Sequence, residues 1–220
     1  MLYAITDRRL YAEDETVARQ RLLELAKVWA SNGVAFIQLR EKDLPARDQV
    51  ELARTMLGII RAVPGCTTRL LINGPPDIAL AASADGVHLP AGSDALTPNE
   101  VRTLFAAAGS AKLPIITVSC HTMTEVEAAR RESPDCILFA PVFEKRIVPE
   151  PGKAAGNSPA RPGSGPELLA QACHLAAPIP IFALGGVTAQ NAAQCLQAGA
   201  TGIAAIRLFQ QPPSAWLSLV

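Results

Sequence analysis

The chain has 220 residues, 49% of them hydrophobic and 18% charged, which is enough apolar material for a sizeable buried core and excludes a disordered chain. Lys plus Arg number 20 and Asp plus Glu number 20, so no overall field attracts nucleic acid or an acidic membrane surface, and any anion site must be local. Cys66, Cys120, Cys136, Cys173 and Cys195 are odd in number and contain no C-x-x-C pair, which argues against a disulfide framework or a zinc site and for a reduced, cytoplasmic setting.

Met1 leads directly into an apolar run, without a basic segment and h-region, and no apolar stretch reaches about 18 residues, so neither export nor a membrane partner is expected. Short β-type runs then recur at 2–6, 35–40, 69–73, 86–89, 115–119, 136–140, 179–184 and 202–206. Helical patterns lie between them near 15–31, 46–62, 76–83, 97–108, 123–132, 166–176 and 188–197. Eight strands alternating with helices predict parallel βαβ units, and several runs are apolar on both faces, as a helix-covered parallel sheet requires. A (β/α)8 barrel, formed as one domain over residues 1–220, is the simplest architecture, with an open doubly wound sheet as the alternative. Pro212-Pro213 leaves room for only a short last helix. Residues 144–165, rich in Pro, Gly and small side chains, predict a flexible loop on the C-terminal face, where such barrels do their chemistry.

Strand ends therefore carry the functional argument. The second strand runs into Gln38-Leu39-Arg40-Glu41-Lys42, where alternation points Gln38, Arg40 and Lys42 one way and clusters two cations with an amide, a set suited to phosphate or carboxylate. The competing reading is a solvated loop whose charges pair with Glu41 and Asp43. The third strand stops at Asn73-Gly74, and Pro75-Pro76 stiffen the start of the next helix. His88 ends the fourth strand between Val87 and Leu89, which look like barrel wall.

After the fifth strand, Thr122 and Glu125 form an S/T-x-x-E capping box, so His121 lies at a helix N-terminus, where the dipole disfavours imidazolium and leaves a neutral proton carrier. Cys120 should diverge from His121, which argues against a Cys/His nucleophile pair. The seventh strand ends at Gly185-Gly186 with a helix expected from about Thr188, and glycines between strand and helix expose N–H groups able to hold phosphate.

Taken together, YAITDRRL, FIQLREKDL, LLINGPPDIAL, ADGVHLP, VSCHT, LFAPVF and ALGGVTAQNA, followed by AGATGIA, resemble the thiamin phosphate synthase and thiazole tautomerase (TenI-like) superfamily in order and spacing over nearly the whole chain. The resemblance implies a barrel acting on a small phosphorylated thiazole and allows a homodimer. Two chemistries divide the family. The synthase joins a pyrimidine diphosphate to a thiazole phosphate with Mg²⁺, held by a carboxylate after the third-strand Asn and another after the fourth strand. This chain has Gly74 and Ser93 there, and PVFEKRIVP lacks the synthase threonines, with Lys145 and Arg146 out of step. The synthase motif QLREK is nonetheless complete.

INGPPDIAL and HLPAGSDALTP are similar to the tautomerase branch, which moves a proton within a carboxylated thiazole phosphate and needs no metal or other cofactor. That resemblance makes His121 the proton carrier and places phosphate on Gly185 and Gly186. Backbone after the eighth strand completes the cradle, where Arg207 stands in place of the family's common serine. It implies Gln38, Arg40 and Lys42 for the substrate carboxylate, with Asn73, His88 and Ser119 as further substrate contacts. A barrel that binds thiazole phosphate or thiamin phosphate without turnover is the third reading.

Overall fold

The computed structural model describes residues 1–92, 95–144 and 162–219. The first half of the chain forms β1 (Leu2–Ile5), α1 (Glu15–Ser31), β2 (Phe36–Leu39), α2 (Ala46–Arg61), β3 (Arg69–Asn73), α3 (Pro76–Ala82) and β4 (Gly86–Leu89). The second half forms α4 (Pro98–Ala107), β5 (Ile115–Cys120), α5 (Met123–Glu132), β6 (Cys136–Phe139), α6 (Gly165–Ala176), β7 (Ile181–Ala183), α7 (Ala192–Gln197) and β8 (Gly202–Ala205). Each strand pairs in parallel with the next, and β1 pairs with β8, so the sheet is a closed barrel and not the open alternative.

The two-sided apolar pattern of the strands divides between two layers. Leu2, Ile37, Ile72, Val87, Ile116 and Ile203 face outward into the layer shared with the helices. Their alternating neighbours, among them Tyr3, Leu71, Leu138 and Phe182, fill the barrel interior. Tyr3, Phe36 and Phe182 meet there with ring centroids 5.4–5.8 Å apart, closing the lower interior against water. Asp85 and Asp135, just before β4 and β6, accept the backbone N–H of Leu70 and Ile116 at 2.8 and 2.7 Å, which fixes neighbouring strands at the N-terminal rim.

Two expected elements differ. α7 starts at Ala192 and not near Thr188, because residues 189–191 form a turn in which the Asn191 side chain accepts the Thr188 N–H at 2.8 Å and donates to the Gly186 carbonyl at 3.0 Å. In place of a short last α-helix, the described residues after β8 form three 3-10 turns, Leu208–Gln210, Pro213–Ala215 and Leu217–Leu219. Pro212-Pro213 denies the i→i−4 bonds a longer helix needs. These turns still close the barrel: Phe209 and Trp216 are fully buried, and Trp29 of α1 donates its indole N–H to the Phe209 carbonyl at 2.9 Å. Of the loop expected at 144–165, residues 145–161 lie outside the described residues. Among the described residues no helix is long and apolar enough to cross a membrane.

Candidate active site at the barrel mouth

Parallel pairing carries the C-terminal ends of all eight strands to one rim. Gln38 points inward from β2 with only 1% exposure, and its Nε2 donates to Asn73 Oδ1 of β3 at 2.7 Å. Its Oε1 is buried with no partner among the described residues, an acceptor whose desolvation a ligand donor would offset. Next to Asn73, Gly74 has φ +99° and donates its N–H to the His88 carbonyl at 2.9 Å. A left-handed corner with no side chain thus occupies the position of the first Mg²⁺ carboxylate implied for a synthase, while Ser93 and Asp94 lie outside the described residues. Among the described residues no group of three or more His, Cys, Asp and Glu could hold a metal ion, and Gly74 supplies no side-chain ligand at the first implied Mg²⁺ position.

The charges around the second strand are arranged differently from the solvated pairs considered above. Arg8, absent from the sequence-based candidates, is 3% exposed and lies beyond β1. Its guanidinium binds Glu41 at 3.0 Å, Asp43 at 2.8 Å and Glu15 at 2.9 Å. Glu41 is itself 2% exposed and accepts the Thr6 hydroxyl at 2.5 Å and the Arg8 backbone N–H at 3.2 Å. Burial pushes the Glu41 carboxyl above its ordinary range, opposed in part by Thr6 and Arg8, while the Asp43 carboxylate holds the Arg8 guanidinium firmly protonated. Because Glu41 and Asp43 are committed to Arg8, the Arg40 guanidinium makes no ion pair among the described residues; only its backbone N–H is engaged, with Thr6 Oγ1 at 2.9 Å. Lys42 is exposed in the turn after the strand, so alternation does not align it with Gln38. In TDRRL and REKD the charges look like surface residues, and only the register of β1 with β2 reveals the buried clamp.

His88 sits beneath the mouth. It is 4% exposed, with Nδ1 2.8 Å from Thr117 Oγ1 and Nε2 2.9 Å from Ser119 Oγ, both on the paired strand β5. Burial, reinforced by the Arg40 charge, lowers its pKa to about 3, so it stays neutral. Both ring nitrogens are engaged by the protein, which places Ser119, half-buried above it, nearer to a ligand than His88 itself.

His121 follows β5 directly and is exposed. The capping box expected at Thr122 and Glu125 is present, and Glu125 also accepts the His121 backbone N–H. The ring's Nδ1 lies 2.6 Å from the Ala140 carbonyl at the end of β6. A carbonyl only accepts, so Nδ1 carries a proton, and the other ring nitrogen, Nε2, makes no hydrogen bond among the described residues. Cys120 faces the helix layer, and burial pushes its thiol up to about 12, in keeping with the divergence expected from His121.

At the far side of the rim, Gly185 and Gly186 have φ +91° and +66° and pack against residues 141–144; a Cβ on Gly186 would lie 2.8 Å from the Glu144 carbonyl oxygen. The register of β7 with β8 sets Ala183 beside Ile203, so the chain beyond β7 leads this pair toward Ala205 and Ile206. Arg207 is exposed and makes no ion pair among the described residues, and the glycine N–H groups there do not open an α-helix. Ser164 and Gly165 return to the same place, donating backbone N–H groups to Pro141 and Val142 carbonyls at 2.9 Å each.

Fold and rim together define a (β/α)8 barrel with an enzyme-type polar cluster at its C-terminal mouth. The chain belongs to the thiamine monophosphate synthase family, whose model matches residues 2–209. It is 42% identical over 212 residues to a putative thiamine-phosphate synthase of Geobacter sulfurreducens, covering 96% of this chain and 87% of that one. It is 32% identical to a thiamine-phosphate synthase of Roseiflexus castenholzii, with 94% and 79% covered. Among solved structures, thiamine phosphate pyrophosphorylase from Pyrococcus furiosus superposes with a TM-score of 0.75 at 25% identity, covering 99% of this chain and 92% of that one. These relatives carry the synthase name, and the expectation of an isomerase finds no support in them.

Proposed function

We propose that the barrel mouth binds a phosphorylated thiazole of thiamin biosynthesis and isomerises it by proton transfer at His121, without a metal. The observation that carries this reading is the His121–Ala140 bond, which leaves Nε2 as a directed base. Nε2 would take a proton from one ring carbon and return it at another, so that a double bond shifts and no electrons are gained or lost. Arg40, which makes no ion pair among the described residues, would hold the substrate carboxylate, with Lys42 in the following turn. Gly185, Gly186 and Arg207 would receive the phosphate, and Gln38 Oε1 and Asn73 would orient the ring.

Thiamin phosphate synthesis is the second reading, and the names of the relatives favour it over isomerisation. Mg²⁺ would supply charge neutralisation to the departing diphosphate in that reaction, and Gly74 offers no side-chain oxygen to hold it. One experiment separates the two: aromatisation of the carboxylated thiazole phosphate followed in EDTA, against thiamin phosphate formation from the pyrimidine diphosphate and thiazole phosphate with Mg²⁺. Turnover only in the second reaction, abolished by chelator, would reject the isomerase. Failure of both at rates on the order of 1 s⁻¹ would leave a binding protein.

A further inference from the structure

Four polar side chains inside the barrel form one continuous chain. Tyr3 of β1 reaches across the interior to Thr117 of β5, with its hydroxyl 3.1 Å from Thr117 Oγ1. Thr117 meets His88 Nδ1 at 2.8 Å, and His88 Nε2 meets Ser119 Oγ at 2.9 Å. Tyr3 and Thr117 are fully buried, and among the described residues the Tyr3 hydroxyl has no other hydrogen-bond partner. Counting protons settles the direction. Two links join the Tyr3 oxygen, the Thr117 oxygen and His88 Nδ1, and two hydroxyl hydrogens must be placed in them. If Nδ1 accepts, Tyr3 donates to Thr117, Thr117 donates to Nδ1, and both hydrogens are satisfied. If Nδ1 donates, it uses one link, and one hydroxyl hydrogen is stranded in a dry interior, which shifts the population by roughly tenfold or more.

We propose that Tyr3, Thr117 and His88 are positioning residues that lock His88 as the Nε2–H tautomer, so that Ser119 accepts from the ring and presents its own O–H as a donor to the ligand. The mouth then selects a ligand with a hydrogen-bond acceptor, a ring nitrogen or an anionic oxygen, against Ser119. Burial holds the Tyr3 phenol well above its ordinary range and keeps His88 neutral, so the chain retains its protons at neutral pH. The identity of the ligand rests on the function proposed above; the direction of the chain does not.

The test begins without ligand. Protein with nitrogen-15-labelled histidine is examined by NMR near neutral pH, and His88 is assigned by loss of its signals in His88→Gln. The wild-type protein should show a protonated Nε2 and an unprotonated Nδ1, and Tyr3→Phe, which removes one of the two hydrogens, should populate the other tautomer. A wild-type Nδ1–H ring, or a tautomer indifferent to Tyr3→Phe, overturns the proposal. Binding of the carboxylated thiazole phosphate is then measured for Ser119→Ala, Tyr3→Phe and the double variant. Ser119→Ala should weaken binding about 2- to 10-fold, and adding Tyr3→Phe should weaken it no further, since the chain acts through Ser119. Additive losses overturn the proposal. A wild-type protein that ignores this probe but shows the Nε2–H tautomer refutes the proposed substrate and leaves the chain's direction standing.

Discussion

Replacing Arg8 with alanine would remove the ion-pair partner that Glu41, a buried carboxylate, has among the described residues. Glu41 is 2% exposed and would retain the Thr6 hydroxyl and a backbone N–H, neither of which offsets a full charge. Breaking a buried pair in this way costs about 3–5 kcal/mol, and for a domain of this size each kcal/mol lowers Tm by about 2–4 °C, giving a fall of roughly 6–20 °C. The loss also has a pH signature. Glu41 already has a raised carboxyl pKa in the folded protein, and without Arg8 it rises further. A carboxyl raised on folding binds its proton more tightly in the native state, so its ionisation destabilises the fold as pH climbs from the unfolded value through the folded one. The Arg8→Ala deficit should therefore be largest at neutral pH and shrink toward about pH 5 as Glu41 is neutralised. Urea denaturation of both proteins at several pH values measures it. A deficit under about 1 kcal/mol, or one that does not change with pH, would refute the view of Arg8–Glu41 as a buried clamp. Arg8→Ala should also weaken anion binding, because the released Asp43 becomes available to Arg40.

His121→Asn should slow proton transfer by about 10²–10⁴-fold while leaving substrate affinity within a few fold, and a loss under about tenfold removes His121 from the mechanism. Gly74→Asp meets no neighbouring atom but must adopt φ +99°, so it should cost about 1–2 kcal/mol by denaturation and confer no Mg²⁺ binding by calorimetry. Trp29→Phe leaves the Phe209 carbonyl without its donor and should lose about 1–3 kcal/mol, read as a lower urea midpoint. His88, with a folded pKa of about 3 against 6.5 unfolded, binds fewer protons when native, so stability should decline as pH falls through that window and His88→Gln should flatten the decline.

Most of the barrel was legible because its strands are buried on both faces: β3 and β4 fall at the residues where the apolar runs begin and end, and the Thr122 box starts α5 as its spacing requires. The last quarter was less so. Asn191 replaces a helical turn with a side-chain turn, and Pro212-Pro213 permits only 3-10 geometry, neither of which an apolar period encodes. At the site, Gln38 points inward and reaches Asn73 while Lys42 does not follow the alternation, and the partners of His88 and Arg8 include residues more than 25 positions away in sequence. REKD looks like four solvated charges until Arg8, just beyond β1, binds two of them, and Arg40 is left with no ion pair among the described residues.

The Tyr3 to Ser119 chain also bears on how such a barrel could be divided. Eight similar βα units invite the exchange of halves between related barrels, with seams at β4–β5 and β8–β1. Here Tyr3 and His88 belong to one half, and Thr117 and Ser119 to the other, so the polar chain crosses the interior and the β4–β5 seam together. A transplanted half that supplied a hydroxyl without its counterpart would bury an orphaned donor at the centre of the hybrid. Compatibility between halves is thus set by a few interior protons as well as by the fit of the walls.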